Sequence, residues 1–164
     1  DAEGARGEYM RKGTVWKDIV ANRKRMLEVC PQVDFYISAT VGLSNALHVV
    51  DFHRDWVEKG FIKPQDFNFN LLQYPIWQRM DLLPQNEKDK VTAKYKEHIE
   101  WLKGKDHLTR ATKGFESALD WMNKKDMTRQ LPTFVGETRK YDKIRDENFT
   151  DVFPEWKDLF AQYE

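Results

Sequence analysis

Two stretches of the chain alternate between apolar and polar residues, a pattern typical of β-strands whose two faces differ. Residues 35–41 have Phe, Ile, Ala and Val at every second position, and residues 67–74 repeat the pattern before Pro75. The polar positions are Tyr36, Ser38 and Thr40 in the first stretch and Asn68 and Asn70 in the second. The pattern therefore predicts two strands, each with one apolar face and one polar face.

The residues between these strands favour a helix. Its apolar positions at helical spacing are Leu43, Leu47, Val50 and Val57. Ser44 is a suitable N-cap, and Gly60 suits the C-terminal stop. A strand, a helix and a second strand in this order predict a βαβ unit with parallel strands.

The polar face of this unit has two interpretations. Strands of parallel sheets that are covered on both sides usually consist of continuous apolar runs, unlike the alternation here. Either the five polar side chains line a substrate cavity, or that side of the sheet faces water. The alternation itself favours neither interpretation.

The rest of the chain has mainly helical patterns. Residues 1–13 contain three glycines and predict a loop. A helix is predicted from Thr14 to Cys30, with the charged run at residues 23–25 on its solvated face. Further helices are predicted at residues 86–104, 106–124, 140–146 and 154–161.

Composition and charge narrow the function classes. The 164 residues suffice for a sizeable core, and 27 basic and 27 acidic side chains give no net charge. This balance removes the usual case for a nucleic-acid or anionic-membrane partner. No apolar run reaches membrane-spanning length and no signal peptide opens the chain, so a cytoplasmic location is expected.

The single cysteine limits metal and redox chemistry. Cys30 by itself can form neither an internal disulfide nor a complete ligand set for zinc or an iron–sulfur cluster. It stands before Pro31 at a predicted helix end, which favours a half-buried structural role over that of a nucleophile. His98 and His107 have no accompanying ligand pattern, so surface or packing roles are expected for both. No metal site is predicted within the chain.

Three stretches carry a resemblance to a known enzyme family. They are DAEGARGEYMRKGTVWKDIVANRKRM at residues 1–26, FYISATVGLSNALHVVDFHRDWVEKG at residues 35–60 and FNFNLLQYP at residues 67–75. Together they resemble the last third of the barrel of radical SAM enzymes, in the sulfatase-maturase-like branch that carries SPASM or twitch extensions. The ending YDKIRDENFTDVFPEW at residues 141–156 is similar to the tail of twitch-type members.

The resemblance implies a cofactor site. In this branch the fourth barrel strand ends in Ser-hydrophobic-Asp, and a later Arg reaches the methionyl carboxylate of S-adenosylmethionine. Asp1 matches that Asp and Arg11 matches that Arg. Asn45 matches a cofactor-contacting position after the fifth strand, and Leu72 a position that supplies backbone and apolar contacts to the adenine. The alternatives are an exposed ion pair between Arg11 and Glu8 and a plain loop hydrogen bond for Asn45.

The resemblance also implies a fold and a domain organisation. The fold is α/β: residues 1–84 would form the last part of a partial (β/α)6 barrel with parallel strands. Residues 85–164 would form a helical, twitch-like extension, although it lacks the cysteines that usually hold auxiliary clusters there.

The implied function is that of a radical SAM enzyme. Such an enzyme uses a 4Fe-4S cluster to cleave S-adenosylmethionine to a 5′-deoxyadenosyl radical, which abstracts hydrogen from a substrate, often a peptide or protein. The Cys-x3-Cys-x2-Cys cluster loop would precede Asp1 in the parent protein. The chain by itself is therefore expected to be inactive and to need the N-terminal barrel half. No residue is assigned as catalytic.

A function of another class stays open. A non-catalytic α/β module could retain the half-barrel and the tail in order to dock a partner. The presence or absence of the three-cysteine loop in the parent reading frame separates this alternative from the enzyme.

Overall fold

The computed structural model describes residues 1–163 as an α/β fold with a small parallel sheet. The strands are β1 Ile37–Val41 and β2 Phe67–Leu71. The helices are α1 Gly4–Met10, α2 Trp16–Val29, α3 Val49–Glu58, α4 Gln85–Leu102, α5 Arg110–Asn123, α6 Leu131–Arg145, α7 Phe149–Val152 and α8 Lys157–Ala161. Short 3₁₀ turns occupy Ile76–Gln78, Met80–Leu82, Thr128–Gln130 and Pro154–Trp156.

The two strands pair in parallel, as the sequence predicts. The register runs from Ile37 opposite Phe67 to Val41 opposite Leu71, and α3 forms the crossover between the strands. Ala39 and Val41 are buried, and so is Phe67, because the apolar face of the sheet packs on the helices. The βαβ unit is thus confirmed.

The crossover helix is shorter than its pattern predicts. Residues 44–48 form turns, and α3 begins at Val49 with His48 at the N-cap position, so the prediction of Ser44 as the cap is wrong. The reason is local, because the Asn45 side chain ties this segment to the preceding loop. The predicted stop is confirmed, since Gly60 follows the helix with a φ of 70°.

The N-terminal segment is a helix instead of the predicted loop. An added Cβ at Gly7 would lie 2.6 Å from the backbone oxygen of Ala2, so the absence of a side chain there permits close packing. The ring of Tyr9 lies 5.6 Å from that of Phe149, which docks α1 on α7. Tertiary packing therefore outweighs the low helix propensity of the glycines.

The other helices follow the predicted pattern with shifted ends. α2 begins at Trp16 instead of near Thr14 and ends before Cys30, which is half-buried as expected. α5 begins at Arg110, four residues later than predicted. α6 extends from Leu131, well before the predicted start at residue 140.

One apolar core joins the β-strands to the helices beyond residue 84. The Phe115 ring of α5 lies 5.1 Å from the Phe69 ring of β2 and 5.0 Å from the Tyr95 ring of α4. An added Cβ at Gly114 would lie 2.7 Å from the Cβ of Phe69, so α5 approaches the strand closely. The predicted boundary at residue 84 therefore falls between segments that pack on each other, and two separate domains stay a prediction.

No helix among residues 1–163 combines the length and the apolar character needed to cross a membrane.

Candidate functional site

The carboxyl ends of β1 and β2 meet at one edge of the sheet, because the strands are parallel. Ligands of α/β folds commonly bind at this edge. A cavity of about 270 Å³ opens there. We call it the strand-end cavity, and its lining includes Asp1, Arg11, Thr40, Asn45, Leu72 and Gln78.

The loop after β1 comes very close to the 3₁₀ turn Ile76–Gln78. The Leu43 backbone N–H donates to the Gln78 carbonyl over 2.8 Å. A Cβ at Gly42 would lie only 2.5 Å from the same carbonyl oxygen, so this position requires glycine. The contact holds the floor of the cavity against the segment that follows β2.

Asn45 is fully buried, and its side chain holds the segments around the cavity together through hydrogen bonds. Its Oδ1 accepts a hydrogen bond from the Gly42 N–H at 2.9 Å. Its Nδ2 donates to the Asp1 carbonyl at 2.7 Å and to the Thr40 carbonyl at 3.0 Å. Both N–H groups of the amide are therefore engaged by the chain, and Asn45 positions three segments that meet at the cavity.

Arg11 pairs with Asp1 and not with Glu8. The Arg11 Nε donates to Asp1 Oδ2 over 2.7 Å, and Asp1 Oδ1 accepts from the Thr40 backbone N–H at 2.8 Å. Glu8 instead accepts a hydrogen bond from the backbone N–H of Trp16. The alternative of an ion pair between Arg11 and Glu8 is thus wrong, because the acidic partner of Arg11 is Asp1.

The two terminal nitrogens of the Arg11 guanidinium keep their donors for other partners. Within residues 1–163, only its Nε makes a hydrogen bond. The Arg11 side chain is 63% exposed at the cavity rim, whereas that of its partner Asp1 is 8% exposed. A carboxylate entering the cavity therefore finds a planar pair of donors whose position Asp1 already fixes.

Leu72 lies where the sequence places it, directly after β2. Its backbone N–H donates to the Val41 carbonyl at 2.9 Å, which continues the sheet by one hydrogen bond. Its Cβ lies near Gly42, so its side chain supplies apolar surface to the same cavity. Arg11, Asn45 and Leu72, from three separate segments, are thus brought together.

The five residues of the polar sheet face do not share one cavity in this chain. Thr40 borders the strand-end cavity. Ser38 and Asn70 are exposed, and Asn70 Nδ2 donates to Ser38 Oγ at 2.7 Å. Tyr36 is 57% exposed and Asn68 is half-buried. Within residues 1–163 most of this face is open, so a substrate cavity over it stays a prediction.

A second cavity adjoins the first and was missed by sequence reasoning. It measures about 340 Å³, and we call it the aromatic cavity. Its lining includes Tyr9, Trp77, Phe134, Tyr141, Arg145 and Phe149. It shares the lining residues Met10, Ser44 and Gln78 with the strand-end cavity, so the two cavities are adjacent. The available signal was the apolar loop around Trp77, which needs a cover that α6 provides.

Metal ligands are sparse in this part of the molecule. Residues 1–163 contain no group of three or more His, Cys, Asp or Glu side chains placed to hold a metal ion. Cys30 does not line either cavity.

Comparisons of the chain with protein-family models, with curated proteins and with solved structures found no match.

Proposed function

We propose that this chain is the C-terminal portion of a radical SAM enzyme and that the strand-end cavity holds part of S-adenosylmethionine. The observation that carries the proposal is the meeting of Arg11, Asn45 and Leu72 at the carboxyl edge of a parallel sheet. Three residues matched to a cofactor site by sequence alone line one cavity. On this proposal, the two strands belong to a partial (β/α)6 barrel that other strands complete.

The residues present suit the cofactor. The free nitrogens of Arg11 can pair with its methionyl carboxylate, and Leu72 offers apolar surface to its adenine. The carboxylate of Asp1 already accepts two hydrogen bonds, which limits its repulsion of an incoming anion. A volume of about 270 Å³ lies just below the roughly 300–1,000 Å³ of a typical ligand pocket, which agrees with a site that further strands complete.

The bound cofactor, reduced by a 4Fe-4S cluster, would supply the radical that abstracts hydrogen from the substrate. The chain's own contribution is binding and orientation. Arg11 orients the carboxylate, and Asn45 acts through the loop and not by direct contact. The proposed substrate class is a peptide or protein, and the proposed location of the parent enzyme is the cytoplasm.

The second candidate function is that of a non-catalytic module that docks a partner. The open polar face of the sheet favours this function. Ser38 and Asn70 are exposed on that face and would be available to a partner strand or surface. The parent reading frame separates the two functions. A Cys-x3-Cys-x2-Cys loop upstream supports the enzyme, and its absence from the complete frame would remove the enzyme proposal.

Replacing Arg11 by Lys tests the cofactor assignment, since Lys keeps the charge but loses the planar fork. In the intact enzyme under anaerobic conditions, we expect S-adenosylmethionine to bind about 1.5–3 kcal/mol more weakly, the worth of a charge-assisted hydrogen bond. The measurement is calorimetric titration of the cofactor into both proteins with the cluster assembled.

Arg25→Lys is the matched control, because Arg25 is exposed on α2 and does not line the cavity. It should bind the cofactor like the wild type. Equal affinities for wild type and Arg11→Lys would remove Arg11 from the site and leave it as an exposed partner of Asp1, worth about 0–1 kcal/mol.

A further inference from the structure

The aromatic cavity carries a single charged side chain. Among its lining residues Arg145 alone is charged, and the others are aromatic, apolar or neutral polar. Tyr9 stays neutral, because burial and the hydrogen bond from its hydroxyl to Asp142 both raise its pKa. The cavity therefore presents one fixed positive charge amid aromatic rings.

The guanidinium of Arg145 is held by rings and keeps donors free. It lies 6.0 Å from the centre of the Tyr9 ring and 5.3 Å from that of Tyr141. One terminal nitrogen donates to the Tyr9 carbonyl at 3.2 Å. In the described part of the chain Arg145 has no carboxylate partner, although the neighbouring Asp142 is present. Both oxygens of Asp142 are occupied by Tyr9 and by the Phe149 backbone N–H.

The walls of the cavity suit a flat or apolar group. The Trp77 and Tyr141 rings are stacked with centroids 6.4 Å apart, and both are partly open to solvent. Aromatic walls favour aromatic or apolar ligand groups through stacking and area burial. A volume of about 340 Å³ suits a group of amino-acid size.

We infer that the aromatic cavity is the substrate subsite of the same active site and that it selects a group carrying a carboxylate next to an aromatic or apolar body. Arg145 pairs with the carboxylate, and Tyr141 and Trp77 contact the body. The inference rests on the proposed function for its catalytic meaning, because the shared residues Met10, Ser44 and Gln78 place the bound group beside the cofactor. The helical extension thereby contributes α6 to substrate selection.

A matched pair of small probes tests the subsite on the 164-residue chain itself. The probes are N-acetyl-L-phenylalanine and its neutral amide, titrated while amide and indole signals are followed by NMR. We expect the acid to shift the signals of Tyr9, Trp77, Tyr141 and Arg145 and to bind at least tenfold more tightly than the amide. Equal binding of the two probes, no binding, or shifts confined to other residues would overturn the inference.

Arg145→Gln and Arg110→Gln form the variant pair. Arg110 is exposed at the start of α5, outside the cavity, so its variant loses the same charge without touching the site. Arg145→Gln should reduce the preference for the acid to less than twofold, and Arg110→Gln should keep the wild-type preference. If Arg145→Gln fails to fold, the comparison of acid and amide on the wild type still decides.

The subsite and the proposed function can fail separately. Loss of the acid preference, together with an Arg11-dependent affinity for S-adenosylmethionine, would remove the subsite and leave the cofactor site. A preference for the acid, together with a cofactor affinity that does not depend on Arg11, would leave a carboxylate-binding cavity without the radical chemistry.

Discussion

Asn45 and Asn70 are the same residue type in opposite environments. Asn45 is fully buried and exchanges three hydrogen bonds with backbone groups. Asn70 is exposed and donates one hydrogen bond to Ser38 on the neighbouring strand. Because water can replace the partner of Asn70 but not those of Asn45, the two side chains should differ greatly in their effect on stability.

The paired substitutions Asn45→Leu and Asn70→Leu test this difference. Asn45→Leu leaves a buried N–H and two carbonyls without partners and should lower the free energy of unfolding by about 2 kcal/mol or more. Asn70→Leu should change it by less than about 0.5 kcal/mol. Urea unfolding of each variant gives the measurement. A large loss in Asn70→Leu would place Asn70 in a buried network that the structure does not have.

The same Asn70→Leu variant separates stability from function. If the proposed enzyme function holds and the polar face lines a substrate cavity in the parent protein, Asn70→Leu should lower its turnover without lowering its stability.

The loop between β1 and α3 depends on a close approach of two backbones. Gly42 and the Gln78 carbonyl leave no room for a Cβ, and Gln78 also lines both cavities. The geometry of this element therefore sets the geometry of the site.

Gly42→Ala should push the 3₁₀ turn Ile76–Gln78 away and cost about 1–3 kcal/mol of stability, the usual range for overpacking. The matched control is Gly136→Ala in α6, where an added Cβ meets nothing within 4 Å. That variant should gain up to about 1 kcal/mol, because Ala favours a helix more than Gly does. Thermal unfolding of both variants gives the sign of each change in stability. A Gly42→Ala variant as stable as the wild type would show that the loop can shift to accommodate a Cβ.

Periodicity predicted these elements well, and it failed where long-range contacts decide. Arg23 lies in a charged run predicted to be solvated, yet it is 9% exposed. Its Nε donates to the Phe61 carbonyl at 2.8 Å, and its guanidinium lies 4.0 Å from the centre of the Phe35 ring. Both partners are distant in sequence, so no local pattern could indicate this burial.

At the scale of the whole molecule, two buried histidines form a hydrogen-bonded chain. His53 Nε2 lies 3.0 Å from the Pro64 carbonyl, so this nitrogen carries the proton and donates. His53 Nδ1 therefore accepts from His98 Nε2 at 2.9 Å. The expected surface or packing roles are confirmed for both histidines outside any metal pattern, since His98 is buried in the core and His107 is exposed.

Stability should fall as the pH drops below about 6.5. Burial lowers the pKa of His53 to about 4, and burial together with His53 lowers the pKa of His98 to about 3. Since the unfolded imidazoles titrate near 6.5, the unfolded chain binds more protons between these values. The stabilisation is present above about pH 6.5 and is lost as the pH falls through about 4, by a few kcal/mol.

His98→Gln isolates this effect, because the Gln amide can still donate to His53 without titrating. Its unfolding free energy should fall less between pH 6.5 and 4 than that of the wild type, and His107→Gln should follow the wild-type curve. Glu3 acts in the opposite direction, since burial and the hydrogen bond with Asp55 raise its pKa to about 8. All three proteins contain Glu3, so the difference between their curves does not include its contribution. Parallel curves of unfolding free energy against pH for the three proteins would exclude the histidine pair as a source of the pH dependence.

The chain alone should assemble no 4Fe-4S cluster. Anaerobic incubation with iron and sulfide should give no charge-transfer absorption, because Cys30 is its single cysteine and a cluster needs several thiolates. A stable cluster on this chain would contradict the proposal that the ligands lie upstream of Asp1.

The sequence by itself determined the local structure. Alternation at residues 35–41 and 67–74 specified the strands, and the helix between them required a parallel pair, because side-chain periodicity and crossover geometry are properties of neighbouring residues. The selection of Arg11, Asn45 and Leu72 as candidate site residues also came from the sequence.

Only the tertiary structure decided which side chains come into contact although they are distant in the sequence. The helix at Gly4–Met10 depends on packing against α7. Asp1 becomes the partner of Arg11 because the Thr40 backbone N–H of β1 holds its carboxylate in place. The aromatic cavity needs Tyr9 and Arg145 to meet, although they stand far apart in the chain. Burial and long-range hydrogen bonds are set by the assembled core, and a local pattern does not contain them.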